Sequence, residues 1–204
     1  MKTSQPTEDF KKIIIDSLAF NIFHNKNAFR EETHGKHISI NLFEDPLHLR
    51  EITLRLLRTY INHANSKSVI GFTENDQSLV TFATQVCYIE NIPFYNYDLE
   101  NDAGAFSQFI RPEIVPCSLI IPYSINENHV LEIVERFSQQ KVPISQVISM
   151  VDENLSKTVF SNKDFDFVSI CDWVSLRNRI REFKSLTKEK MDELLANFNS
   201  NKNL

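Results

Sequence analysis

Leu119-Ile120-Ile121-Pro122-Tyr123-Ser124-Ile125-Asn126-Glu127-Asn128-His129 is the stretch on which the reading of this chain turns. It reads as a short buried strand, then a tight loop, then a helix. Val130, Ile133, Val134 and Phe137 fall on one side of that helix, because residues three and four apart share a face. A strand ending in a loop at a helix N-terminus is where parallel α/β proteins build ligand sites. The unpaired N–H groups of the first turn point at whatever lies there.

Working outward, the pattern repeats. Downstream, Val142-Pro143 turns the chain into a strand over 144–151, a last strand spans 166–171, and a helix over 172–183 carries Trp173, Leu176 and Ile180. The tail 187–199 reads as an amphipathic helix (Met191, Leu194, Leu195, Phe198) running into an Asn-rich end expected to fray. Upstream, 67–72 and 93–97 read as strands, and 77–90 as a helix with Leu79, Val80, Ala83, Val86 and Cys87 inward. Residues 98–112 show no period and read as a long loop around Gly104. Earlier still, Asp45 caps and Pro46 opens a helix through Asn62 that carries Leu49, Ile52, Leu56 and Tyr60. Residues 37–42 alternate polar and apolar as a half-buried strand does, and 25–36 are polar and read as loop. The first helix is expected over 8–24, with Phe10, Ile13, Ile14, Leu18 and Ile22 inward and Thr7 as N-cap.

From residue 67 on, strands alternate with helices five times, which predicts an α/β fold with a central, mainly parallel sheet flanked by helices on both faces. One domain is expected over 1–185. Within it, 1–66 supply an N-terminal helix, strand and helix as a small flap, and 67–185 supply the α/β core. Residues 186–204 form a C-terminal helix and tail.

The totals exclude several classes. A formal charge of −5 gives no pull toward nucleic acid or an anionic membrane. No apolar run approaches the roughly 18 residues that span a bilayer. The N-terminus is polar without an apolar h-region, and three Cys (Cys87, Cys117, Cys171) form no CxxC, so a cytoplasmic, reducing location is expected. The cysteines sit on apolar elements and read as core residues. His34 and His37 have an i, i+3 spacing that a metal could use, but no third ligand accompanies them. Asp98, Glu100 and Asp102 read as a solvated acidic loop rather than a cation chelate, and Arg111 as a surface residue.

Several segments together resemble the orotate phosphoribosyltransferases, of the type I phosphoribosyltransferase family, across residues 8–183. Phe29 and Gly35-Lys36 leading into 37–41 sit where that family has its Phe…Ser-Gly segment and hood strand. Gly71 stands where the diphosphate-contacting loop begins, and Ile92-Pro93-Phe94 match a short strand that begins with Pro. From Leu119 to Glu153 the order of strand, loop, helix, Pro-bearing turn and strand runs without a gap, and Phe167 to Ile180 match the closing strand and helix. The resemblance implies a Rossmann-like core under an N-terminal hood and a homodimer. It also implies transfer of ribose 5-phosphate from phosphoribosyl diphosphate (PRPP) to orotate with magnesium.

That chemistry needs adjacent carboxylates for the ribose hydroxyls, a Thr/Gly loop presenting N–H groups to a phosphate, and a mobile basic loop for the diphosphate. Where the family has two consecutive Asp, this chain has Pro122 and Tyr123. Where it has Thr-Thr-Gly, this chain has Asn126-Glu127-Asn128, flanked by Ser124 and His129. Two unit charges about 4 Å apart repel by about 4 kcal/mol at an effective dielectric near 20. A helix N-terminus returns only about 0.3–1 kcal/mol, so Glu127 opposes a phosphate here. The diphosphate loop reads Thr73-Glu74-Asn75 and lacks Lys. The mobile-loop segment has Asp98, Glu100, Asp102 and Gly104 without the family's basic residues, and Ala103 stands where a His is expected. Three anion-binding elements have changed in the same direction.

A non-catalytic phosphoribosyltransferase-fold protein with a binding, regulatory or assembly role is therefore expected, with no cofactor and no catalytic residue. The alternative is a divergent PRPP-dependent transferase of the orotate phosphoribosyltransferase type, which would use magnesium. An active homologue is a further candidate partner, since that family shares site residues between subunits. Tyr123, Asn126 and His129 either line a remodelled pocket for a neutral or cationic ligand or form a plain loop, with Asn126 or Asn128 capping the helix.

Overall fold

A computed structural model describes residues 5–24, 30–32, 35–37, 47–72, 78–97, 115–124, 127–152, 160, 163–187 and 189. In chain order its elements are α1 (Gln5–His24), β1 (Arg30–Glu32), β2 (Gly35–His37), α2 (Leu47–His63), β3 (Ser68–Phe72) and α3 (Ser78–Glu90). They continue as β4 (Phe94–Tyr97), β5 (Cys117–Ser124), α4 (Glu127–Gln139), β6 (Ile144–Asp152), β7 (Asp166–Asp172) and α5 (Trp173–Ser185). Strands β3 to β7 form one sheet in the order β4-β3-β5-β6-β7, with every neighbouring pair parallel. This is the α/β fold that the alternation of strands and helices predicts. Among the described residues, helices follow β3, β5 and β7. Most of the chain after β4 and after β6 lies outside the described residues.

Parallel strands are buried on both faces, which is why these read as continuous apolar runs. Val69, Ile120, Ile148 and Ile170 share one core with Ile14 and Leu18 of α1, Leu56 and Leu57 of α2, Phe82 of α3 and Leu176 of α5. Ile70, Leu119, Ile121 and Val147 share the other with Val130, Ile133 and Phe137 of α4, where Phe160 and Phe165 complete the packing. The stripe expected on α4 is the one that packs, with Val134 at its margin.

The amino edge of the sheet is closed by a repeated device. Pro93, Pro116 and Pro143 stand just before β4, β5 and β6, where a missing N–H costs no ladder bond. Their carbonyls accept from Val69 N (2.9 Å), Lys67 N (2.8 Å) and Cys117 N (3.1 Å) of the adjoining strands. Beside them a buried polar chain links the turn before β3 to β5 and β6. Ser66 and Ser118 hydroxyls lie 2.6 Å apart, and Ser118 donates to Gln146 Oε1 at 3.1 Å. Buried hydroxyls are thereby paired, as their desolvation demands. Helices α3 and α4 both end on a residue of positive φ, Asn91 (56°) and Lys141 (62°). The next N–H bonds back across the turn, Ile92 to Cys87 O and Val142 to Phe137 O, each at 2.9 Å, which is a Schellman cap.

Helices α1 and α5 lie against each other. Arg179 Nε donates to Asp16 Oδ1 at 2.6 Å, and its guanidinium lies over the Phe183 ring at 5.0 Å. Helix α2 is tied to β7 by Tyr60, whose hydroxyl donates to Ser169 O at 3.2 Å.

Two local expectations are corrected, and a third falls mostly outside the described residues. Within 25–36, read as loop, Arg30–Glu32 and Gly35–His37 pair as an antiparallel hairpin, with Glu31 opposite Lys36. Its residues are polar or Gly, so the sequence carries no apolar alternation there. The half-buried strand expected over 37–42 is represented only by its first residue, His37, in β2; 38–46, with the Asp45-Pro46 cap, lie outside the described residues. Helix α1 starts at Gln5, so Thr7 is inside its first turn and does not cap it. Strand β5 runs through Pro122 and Tyr123 to Ser124. Pro122 is tolerated because the described pairing with β3 reaches only Ile120, while β6 stays in register beyond it.

Candidate functional site

The sheet order places the site. From β3 the chain goes out to β4, then returns past β3 to begin β5 on its other side and continues away through β6 and β7. The direction of winding reverses between β3 and β5. Helix α3, which follows β3, packs on one face, and α4, which follows β5, packs on the other. Neighbouring strands whose helices depart to opposite faces leave a crevice at their carboxyl ends, the usual ligand position in open α/β sheets. The stretch that opens the sequence reading lies at this crevice.

There, β5 ends at Ser124 and α4 begins at Glu127, with two residues between. Pro122, Tyr123 and Ser124 belong to the last turnings of the strand, and Glu127, Asn128 and His129 to the first turn of the helix. Asn128 is exposed and is the second helical residue, so it is not the N-cap. Glu127 is the first residue of α4. Asn126, Thr73, Glu74, Asn75, Asp98, Glu100, Asp102 and Gly104 lie outside the described residues; the first loop follows β3 in the chain and the second follows β4.

One feature escaped the sequence reading. The registers Ser124↔Asp152 and Asp152↔Asp172 align three polar residues across the carboxyl ends of β5, β6 and β7. Asp152 is only 3% exposed. Asp172 is the N-cap of α5, and its Oδ1 accepts from Ser175 N at 3.0 Å. The signal was present in the sequence, since Met150-Val151-Asp152 and Ile170-Cys171-Asp172 end consecutive strands alike. It becomes a constellation only once the register is known.

Gly71 has a packing role. A Cβ built on it would meet Phe94 Cζ at 2.5 Å and Val80 Cγ1 at 3.0 Å. The glycine lets the ring of β4 cross β3, and this reason is independent of any phosphate. The three cysteines are free and buried, as expected of core residues. Burial pushes the Cys87 thiol up to about 12. Burial also raises Cys117, against a lowering hydrogen bond from Ser68, and raises Cys171, whose proton is held further by the charge of Asp172. Thiols so placed are not thiolate nucleophiles at neutral pH. Among the described residues no group of three or more His, Cys, Asp and Glu could hold a metal ion, and no helix is long and apolar enough to cross a membrane.

No protein-family model and no curated protein matches the sequence. Solved structures match it by shape. The orotate phosphoribosyltransferase from Aeropyrum pernix superposes with a TM-score of 0.55 at 13% identity, over 80% of this chain and 98% of that one. A phosphoribosyltransferase from Corynebacterium diphtheriae gives 0.55 at 15% identity, over 81% and 99%. UMP synthase from Leishmania donovani gives 0.57 at 14% identity and covers 97% of this chain but 43% of its own length. Identities this low carry the fold and not the activity: the chain has the type I phosphoribosyltransferase-like fold that the orotate phosphoribosyltransferases share.

Proposed function

We propose that this protein is a non-catalytic member of the phosphoribosyltransferase fold, with a binding, regulatory or assembly role. The observation that carries the reading is the sequence at the switch point. Pro122-Tyr123 and Asn126-Glu127-Asn128 occupy the end of the central strand and the approach to α4. A PRPP enzyme needs carboxylates at the first position and Gly with hydroxyls at the second. The sequence that follows β3 and β4 points the same way: it carries Glu74, Asp76, Asp98, Glu100 and Asp102 without a Lys, where a PRPP enzyme needs positive charge for its polyanionic donor. The proposed ligand, if small, is neutral or cationic, and no magnesium is part of this reading. The unit is proposed as one domain over 1–185, acting as a homodimer in the cytoplasm.

A divergent PRPP-dependent transferase is the second reading, and one observation favours it. Asp152 and Asp172 keep two carboxylates side by side at strand ends, one and two strands away from the expected pair. Under that reading alone would magnesium be required.

Thermal melting with and without PRPP, magnesium and orotate separates the two. A ligand at 100 times its dissociation constant adds about 2.7 kcal/mol, worth a few degrees in Tm for a domain of this size. The non-catalytic reading expects no shift. A reproducible rise with PRPP and magnesium would overturn it and leave the transferase standing.

A further inference from the structure

No further inference is drawn: the strongest candidate, the row of Ser124, Asp152 and Asp172 across the carboxyl ends of β5, β6 and β7, belongs to the site already described, and no second feature among the described residues points to a ligand there.

Discussion

Gly71 is buried with the ring of Phe94 across it and Val80 beneath, so its replacement is a test of packing. Gly71→Ala forces a methyl group to within 2.5 Å of Phe94 Cζ. Overpacking of this kind costs about 1–3 kcal/mol, and the urea midpoint should fall accordingly. Adding Phe94→Leu should recover part of the loss, whereas a glycine kept for phosphate approach would show no such rescue. The resemblance placed Gly71 at a diphosphate loop. Its steric reason was not legible, because the ring it accommodates lies 23 positions on, in the neighbouring strand. Cys87 supports a second prediction at this scale. Its thiol rises from 9.0 to about 12 in the folded protein, through burial. The folded state therefore holds this proton more tightly than the unfolded chain. The resulting stability is whole below pH 9 and is lost as pH climbs toward 12. Denaturation midpoints followed across that window should fall, and Cys87→Ala should flatten the part of the fall that belongs to this group.

The elements themselves were largely legible. Strands β3 to β7 and helices α2 to α5 lie within a few residues of their expected bounds, because apolar runs bounded by Pro, Asn and Asp mark them locally. Pro122 lies inside β5 for a physical reason: proline ends strands when its N–H is needed, and here the described pairing with β3 has already stopped at Gly71 and Ile120. The β1–β2 hairpin was missed because no face of it is apolar. Helix endings were also partly hidden. With only three glycines in the chain, α3 and α4 close on Asn91 and Lys141 instead. A lysine at φ 62° carries a side-chain clash that glycine lacks. Lys141→Gly should stabilise the fold by about 0.5–1 kcal/mol, after the larger entropy of glycine in the unfolded chain is subtracted. A lower midpoint for this variant would mean that the Lys141 side chain makes a contact worth more than its strain.

For the whole molecule, the strand–loop–helix turn at the candidate site was legible in the sequence, and the order of the strands around it was not. Alternating strands and helices imply a parallel sheet, and the Leu119–His129 stretch has the form of a crevice-forming turn. That β3 and β5 are neighbours, and that Asp152 and Asp172 align, depends on strand order and register, which no local pattern encodes. The proposed homodimer is tested at this scale. Light scattering on a sizing column should return twice the 23.8 kDa of the chain at micromolar concentration, and a monomer mass would remove the dimer from the proposal.

The pairing of α1 with α5 has a consequence in time. Asp16 and Arg179 are 163 positions apart, yet they share one ion pair. At a synthesis rate of about 5–20 residues per second, roughly 8–30 s separate the appearance of the two. Through that interval Ile14, Leu18 and Ala19 have no α5 to cover them. The first helix made is thus among the last to be locked, and a nascent chain stalled before residue 173 should present its apolar face to chaperones.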